Sequence, residues 1–146
     1  MRDILFRGQT RKKGQKVWMD GTPVESNWVY GGIFPGTGDF SVIYTFDPIA
    51  KCSVYSDTVG QFTGLTDKNG KKIFEGDIIK IPDDYDEFGI NAGEIYEVYF
   101  AFGGFRLKPK RSSAKGFWLE DDKTVEIIGN IHDNPELLEV SDNGNL

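Results

Sequence analysis

Few residues in the sequence are of a type that can do chemistry on its own. His132 is the only histidine and Cys52 the only cysteine among the 146 residues. A single histidine excludes a multi-histidine metal site, and a single cysteine excludes an internal disulfide. The two could form a nucleophile and its base, but no sequence signature of such a pair surrounds either residue. We therefore expect structural roles for both.

Carboxylates are the other candidates for chemistry. Glu75 and Asp77 are two residues apart, so on a strand they would share one face and could hold a metal ion. However, Gly76 between them predicts a turn, which would separate the two side chains. The acidic segments 83–87 and 120–122 lack the alternating spacing of a calcium-binding loop. The sequence thus predicts no enzyme activity, no cofactor and no metal site.

Two segments are basic and contain almost no acidic residues. The first includes Arg11, Lys12 and Lys13, and the second includes Lys110 and Arg111. Aromatic residues lie near both, and positive charge beside aromatic rings is typical of surfaces that stack on nucleic-acid bases. Against this, 17 Lys and Arg stand beside 23 Asp and Glu, and the net charge of −6 disfavours unspecific binding to phosphate backbones. Solvated basic turns are the favoured interpretation, and nucleic-acid binding is the alternative.

The elements that must position these residues are predicted to be short β-strands. Aromatic residues make up 14% of the chain, which also has 18 glycines and few long helix-forming stretches, a composition that favours strands joined by tight turns. Alternating apolar residues over 3–20 predict a β-hairpin. The same alternation over 40–46 predicts a strand that ends at Pro48, because proline cannot continue a ladder.

The second half carries the clearest turn. Asn69 and Gly70 form an Asn-Gly pair, which suits a turn with positive φ angles. Further strands are predicted near 78–81, 94–100, 104–108, 116–119 and 125–131, and Asn134-Pro135 predicts the start of a short helix. We therefore expect a mainly β protein with an N-terminal β-rich subdomain (1–60), a small SH3-like barrel that ends in a short helix (61–140) and a disordered tail (141–146). A single continuous sheet system is the alternative architecture.

One continuous segment resembles a known family. Residues 61–78 read Gln-Phe-Thr-Gly-Leu-Thr-Asp-Lys-Asn-Gly-Lys-Lys-Ile-Phe-Glu-Gly-Asp-Ile, and this stretch resembles the signature of the YopX family of bacteriophage and prophage proteins without a gap. Residues 1–8 and 126–138 resemble the family's opening and closing motifs, so the resemblance spans nearly the whole chain. It implies a phage or prophage gene expressed in bacterial cytoplasm. Because the family has no established activity, the resemblance implies no catalytic residues.

Most of this signature has a physical explanation in folding. Its glycines suit turns and its apolar residues suit a β core, while Asp67 and Asp77 suit turn stabilisation. Folding alone does not explain the presence of Gln61, Thr63 and Glu75 as readily. These three residues are therefore the sequence-based candidates for a binding surface.

Two functions follow from the sequence. The leading hypothesis is a non-enzymatic phage accessory protein that binds an unknown host or phage protein, or assembles with itself into an oligomer. The alternative is nucleic-acid binding in phage replication or transcription. The opening Met-Arg-Asp-Ile-Leu-Phe-Arg-Gly lacks the apolar run of a signal peptide or membrane span, so we expect a cytoplasmic protein with no membrane partner.

Overall fold

The computed structural model describes residues 3–12, 17–19, 22–24, 27–46, 49–83, 93–110, 117–119 and 125–139. For 17–19, 22–24 and 117–118 it describes the backbone alone. The fold is mainly β, as predicted, with antiparallel sheets and two short 3-10 helices in the described part of the chain. The chain divides into two compact units, residues 1–62 and 63–146. No helix within the described ranges has the length and apolar character needed to cross a membrane.

The first unit contains a sheet with the strand order β6-β5-β4-β1, in which β1 also pairs with the start of β7 (Gly60–Thr66), and a separate two-stranded hairpin of β2 and β3. Its strands are β1 Phe6–Gln9, β2 Val17–Met19, β3 Thr22–Val24, β4 Trp28–Phe34, β5 Phe40–Phe46 and β6 Ile49–Tyr55. The predicted hairpin over 3–20 is wrong, because β1 pairs with β4 and β2 pairs with β3. Asp20 and Gly21 separate β2 from β3, and an Asp-Gly pair between strands is a strong hairpin signal in its own right.

Small residues let β1 pack closely in the first unit. A Cβ added at Gly8 would lie 2.9 Å from Cγ2 of Val54, and Val54 is fully buried together with Ile43. The backbone N–H of Gln9 donates to Oγ1 of Thr58 at 2.9 Å. These contacts join β1 to β6 and to the turn of 3-10 helix that follows it, Ser56–Thr58.

The second unit is built on a five-stranded sheet with the order β12-β11-β10-β9-β13. The sheet consists of β9 Asp77–Lys80, β10 Ile95–Ala101, β11 Gly104–Pro109, β12 Phe117–Trp118 and β13 Glu126–Asn130. The unit also contains the end of β7 Gly60–Thr66 and β8 Lys72–Phe74, which pair with each other. The core consists of seven buried apolar side chains from this unit: Ile73, Ile79, Ile81, Tyr96, Val98, Leu107 and Val125. In the described part of the chain, β12 and β13 are the two edges of the sheet. The expected closed SH3-like barrel is therefore not confirmed, since closure would require the edge strands to pair.

The closing segment is a compact loop followed by one turn of 3-10 helix, Pro135–Leu138. Proline stands at the first helical position as predicted, but the side chain of Asn134 does not cap the helix. Its Oδ1 instead accepts from the backbone N–H of Asn130 at 3.2 Å. Asn130 in turn accepts from the N–H groups of His132 and Asp133 at 3.0 and 2.9 Å. The predicted tail, 141–146, lies outside the described residues.

Replacing Gly129 by alanine tests how tightly this loop is packed. A Cβ at Gly129 would lie 2.6 Å from Oδ1 of Asn134 and 2.9 Å from Cδ1 of Leu137. We expect G129A to lower the free energy of unfolding by about 1–3 kcal/mol, the usual range for overpacking. Urea unfolding measures this, with G32A as control because a Cβ at Gly32 meets nothing within 4 Å. Equal losses in the two variants would contradict the packing explanation.

Candidate functional site

Asp67 is the most heavily used polar side chain of the signature segment. It is 1% exposed, and its Oδ1 accepts from the N–H groups of Asn69 and Lys71, both at 2.9 Å. Its Oδ2 accepts from the N–H of Ile127 in β13 at 3.1 Å. One carboxylate therefore closes the turn after β7 and fastens that turn to β13.

The ionisation of Asp67 follows from these contacts. Burial raises the pKa of a carboxyl group, but here three backbone N–H groups and the positive charge of Lys71 outweigh burial. The pKa of Asp67 is lowered below its ordinary value of 3.8. The carboxylate is therefore charged near neutral pH, and its charge is stabilised by backbone N–H groups within the fold.

The other polar residues of the signature segment are also held by the backbone. Thr63 is buried, and its Oγ1 donates to the carbonyl of Ile73 at 2.8 Å and accepts from the N–H of Leu65 at 3.2 Å. Asp77 is buried, and its Oδ2 accepts from the N–H of Phe74 at 2.7 Å. Both side chains therefore have structural roles. The sequence predicted such a role for Asp77, whereas it predicted Thr63 to belong to a binding surface.

Gln61 and Glu75 are half-buried. Gln61 lies in β7 opposite Phe6 of β1, in the first unit. Glu75 lies in the second unit, in the turn before Gly76, whose φ is 92°. The half-buried His132 lies near that turn, with Nε2 3.8 Å from where a Cβ of Gly76 would be. Within the described ranges, no group of three or more His, Cys, Asp or Glu could hold a metal ion.

The first basic cluster does not form a row of exposed cations. Arg11 is 4% exposed, and its carbonyl accepts from the side-chain amide of Asn27. Lys12 forms an ion pair with Asp57, and its Nζ lies 4.9 Å from the centre of the Tyr55 ring. Lys13 lies outside the described residues. The described members of this cluster are therefore buried or paired.

The second basic cluster lies along β11 and just after it. Lys108 is exposed, while Arg106 and Lys110 are half-buried. The N–H of Lys110 donates to the carbonyl of Ile95 at 2.9 Å, which extends the pairing of β10 with β11. Arg111 lies outside the described residues.

A surface that the sequence did not identify lies on the sheet of the first unit. Alternation in β5 places Ser41 and Ile43 inside, whereas its aromatic residues point to solvent. We call the exposed set the aromatic face: Tyr30, Phe34, Phe40, Tyr44, Phe46 and Ile49. Strand register continues the face across neighbours, since Phe46 lies opposite Ile49. The prediction of a strand over 40–46 is thus confirmed, but the apolar positions face outward.

One end of the aromatic face borders a groove of about 420 Å³. The rings of Phe40 and Tyr55 contact each other there, with centroids 4.8 Å apart. The N–H of Ser56 donates to the carbonyl of Asp39 at 2.8 Å, which holds the two sides of the groove together. Lys12 and Asp57 complete the lining, so the groove combines aromatic surface with charges of both signs.

Comparison with known proteins identifies the family. The model of the family described as "YopX protein" matches residues 24–139. The chain belongs to the YopX family. The "SPbeta prophage-derived uncharacterized protein YopX" of Bacillus subtilis (strain 168) is 31% identical over 101 residues, which cover 59% of this chain and 72% of that relative. The resemblance inferred from residues 61–78 is thereby confirmed.

Among solved structures, the chain is similar to the "Crystal structure of protein EF1440 from Enterococcus faecalis". The identity is 24% and the TM-score is 0.43, over 95% of this chain and 100% of the other. A likeness of this size carries no functional argument.

Replacing Asp67 by asparagine tests the carboxylate clamp. An amide has one acceptor oxygen where the carboxylate has two, so D67N leaves a buried N–H without its partner, and we expect a loss of about 1–3 kcal/mol in the free energy of unfolding at neutral pH. Because the folded pKa is lowered, the wild-type advantage is complete above the unfolded pKa of about 3.9 and is lost as the pH falls through the folded pKa.

Urea unfolding of both proteins over a pH series measures this. The control is D83N, because the side chain of Asp83 is 81% exposed and pairs only with Lys80 in the described part of the chain. A pH-independent gap between wild type and D67N would contradict the electrostatic explanation.

Proposed function

We propose that this member of the YopX family is a non-enzymatic accessory protein that acts by binding protein through the aromatic face. The observation that carries the proposal is the concentration of large apolar side chains on one exposed side of the sheet of the first unit. Single exposed apolar residues are ordinary, whereas a contiguous group marks an interaction site. The family relationship places the protein with a prophage-derived relative, and its proposed setting is the cytoplasm of a bacterial host.

Folding does not account for the aromatic face. The inner side of the same strands is filled by Ile43, Val54 and Ser41, which are buried. Phe46 and Ile49 lie at the opposite side, and Ile49 is 90% exposed. Their exposure leaves apolar surface in water that contact with a partner would remove at a gain of about 25 cal/mol per Å².

The occupant we propose is a second copy of this chain. Among the described strands, β6 pairs with β5 alone and forms the edge of the sheet. It is seven residues long, contains no proline, and has a single charged residue, Lys51, so it has little protection against pairing. Antiparallel pairing of two β6 strands about a two-fold axis would satisfy their edge groups. The part of the aromatic face on β6, Ile49 above all, would then contact the β6 strand of the other copy across the two-fold axis and lose its exposure to water.

The proposed absence of catalysis is supported by what the signature residues do. Thr63, Asp67 and Asp77 bond to backbone groups of their own turns and strands. A catalytic side chain must present its polar atoms to a substrate, and these three are buried.

Nucleic-acid binding is the second candidate function, and one observation favours it. The described segment 93–110 carries three cations, Arg106, Lys108 and Lys110, and two anions, Glu94 and Glu97. This local excess of positive charge contrasts with the net charge of −6 for the whole chain. Phosphate backbones are attracted to such local excess regardless of the overall sign.

Self-association is tested by sedimentation velocity over a wide range of protein concentration. We expect the wild-type mass to rise from one chain toward two. I49K should weaken the dimer at least tenfold, or about 1.4 kcal/mol, because it places a second cation on the β6 edge without disturbing a buried residue. I4K is the matched control, since Ile4 is also exposed but lies outside β6. A strict monomer at all concentrations would overturn the second-copy proposal.

A further inference from the structure

The turn between β10 and β11 has a phenylalanine at a position where an aromatic residue is rarely found. Ala101 pairs with Gly104, so Phe102 and Gly103 form a two-residue connection. Both have positive φ, 54° and 82°, as a type I′ turn requires. Asparagine, aspartate or glycine normally occupies the first central position, because a side chain branching from this backbone is strained. Phe102 is the only non-glycine residue with positive φ in the described part of the chain.

Burial in the core does not compensate for this strain. Phe102 is 86% exposed, so its ring is not a core contact. A Cβ added at the adjacent Gly103 would meet nothing within 4 Å, which shows that the tip projects into open space. A strained backbone at an exposed aromatic residue is typical of a functional position.

The surroundings of the tip indicate which ligand suits it. The guanidinium carbon of Arg106 lies 5.4 Å from the centre of the Phe102 ring. Phe100 is exposed as well, and its ring meets Phe105 edge to face at 5.3 Å and 73°. Phe102 therefore stands at the end of β11, whose charged side chains, Arg106 and Lys108, are both positive. Strand alternation places these cations on the opposite side of the hairpin from Phe100 and Phe105, and Lys108 lies opposite Glu97 of β10.

We propose that this tip binds single-stranded nucleic acid, with Phe102 stacking on a base and the cations of β11 contacting phosphates. The inference rests on the second candidate function and specifies its site and ligand. An exposed ring face can stack only on a base that is itself unstacked, which favours a single strand over a duplex. The Phe102 ring can stack on any base, and the positive charges of Arg106 and Lys108 complement the negative phosphates of the nucleic acid.

The test uses fluorescence anisotropy of a labelled oligothymidylate with the full chain at low salt. F102N replaces phenylalanine with the residue that a type I′ turn prefers, so the hairpin should be as stable as in wild type or more so. We expect its affinity to fall roughly 5- to 100-fold, the usual effect of removing one stacked ring. F102W keeps an aromatic ring and should retain binding. I4N is the matched control and should leave binding unchanged, because Ile4 is also exposed but lies outside both the aromatic face and the hairpin of β10 and β11.

Charge is tested separately through the dependence of binding on salt. K108Q removes one cation from β11 and should reduce the slope of log affinity against log salt by about 0.7, the value for one phosphate contact on a single strand. An unchanged slope would contradict the phosphate contact.

Three further outcomes would overturn the proposal in different ways. Wild-type protein that binds no oligonucleotide at low salt would remove the second candidate function itself. Wild-type binding that F102N retains in full would leave that function standing and remove the tip as its site. Binding of phosphatidylserine vesicles that depends on Phe102, without binding of the oligonucleotide, would show that the tip is a membrane contact instead.

Discussion

The carboxylate of Asp67 connects parts of the second unit that are far apart in sequence. Two of its bonds close the turn at 67–71, and the third holds that turn against β13. Lys68 also donates its N–H to the carbonyl of Val125, the residue before β13, at 2.9 Å. A second link lies nearby in the chain, since Gly76 donates its N–H to Val98 and accepts from Ile131. Within this unit, residues 63–78 of the first YopX motif and the closing motif, 126–138, therefore form one structural element. Without these links, buried N–H groups would lose their partners.

Local signals predicted local structure well. The alternation over 40–46 matches β5 in both bounds, whereas the Asn-Gly turn has a positive φ at its glycine, 80°, but not at Asn69. The hairpin predicted over 3–20 failed because periodicity identifies strands without identifying their partners. Alternation also shows that side chains on a strand point to two opposite sides, but it does not show which of the two sides faces the core. Phe40 and Tyr44 are therefore on the exposed side, although their spacing is what a buried side would show.

The candidate sites depended on information that a sequence does not carry. Arg11 lies in a basic segment, yet it is buried by long-range packing. Thr63 looked unnecessary for folding because its bond to the carbonyl of Ile73 joins two strands ten residues apart. The tip at Phe102 did leave a local signal, since a two-residue loop between strands normally contains asparagine or aspartate. That signal could have been read only once the register of Ala101 with Gly104 was known.

The clamp at Asp67 recognises main-chain N–H groups rather than side chains, and this has an evolutionary consequence. Every residue except proline supplies the N–H that Ile127 donates, so mutations in β13 leave that bond intact as long as the backbone path persists. The residue type is therefore restricted more strongly at position 67 than at position 127. Asp67 must remain a carboxylate, whereas the side chain at position 127 is restricted mainly by its packing. The residue at position 127 can therefore change in a YopX chain without loss of this bond to Asp67.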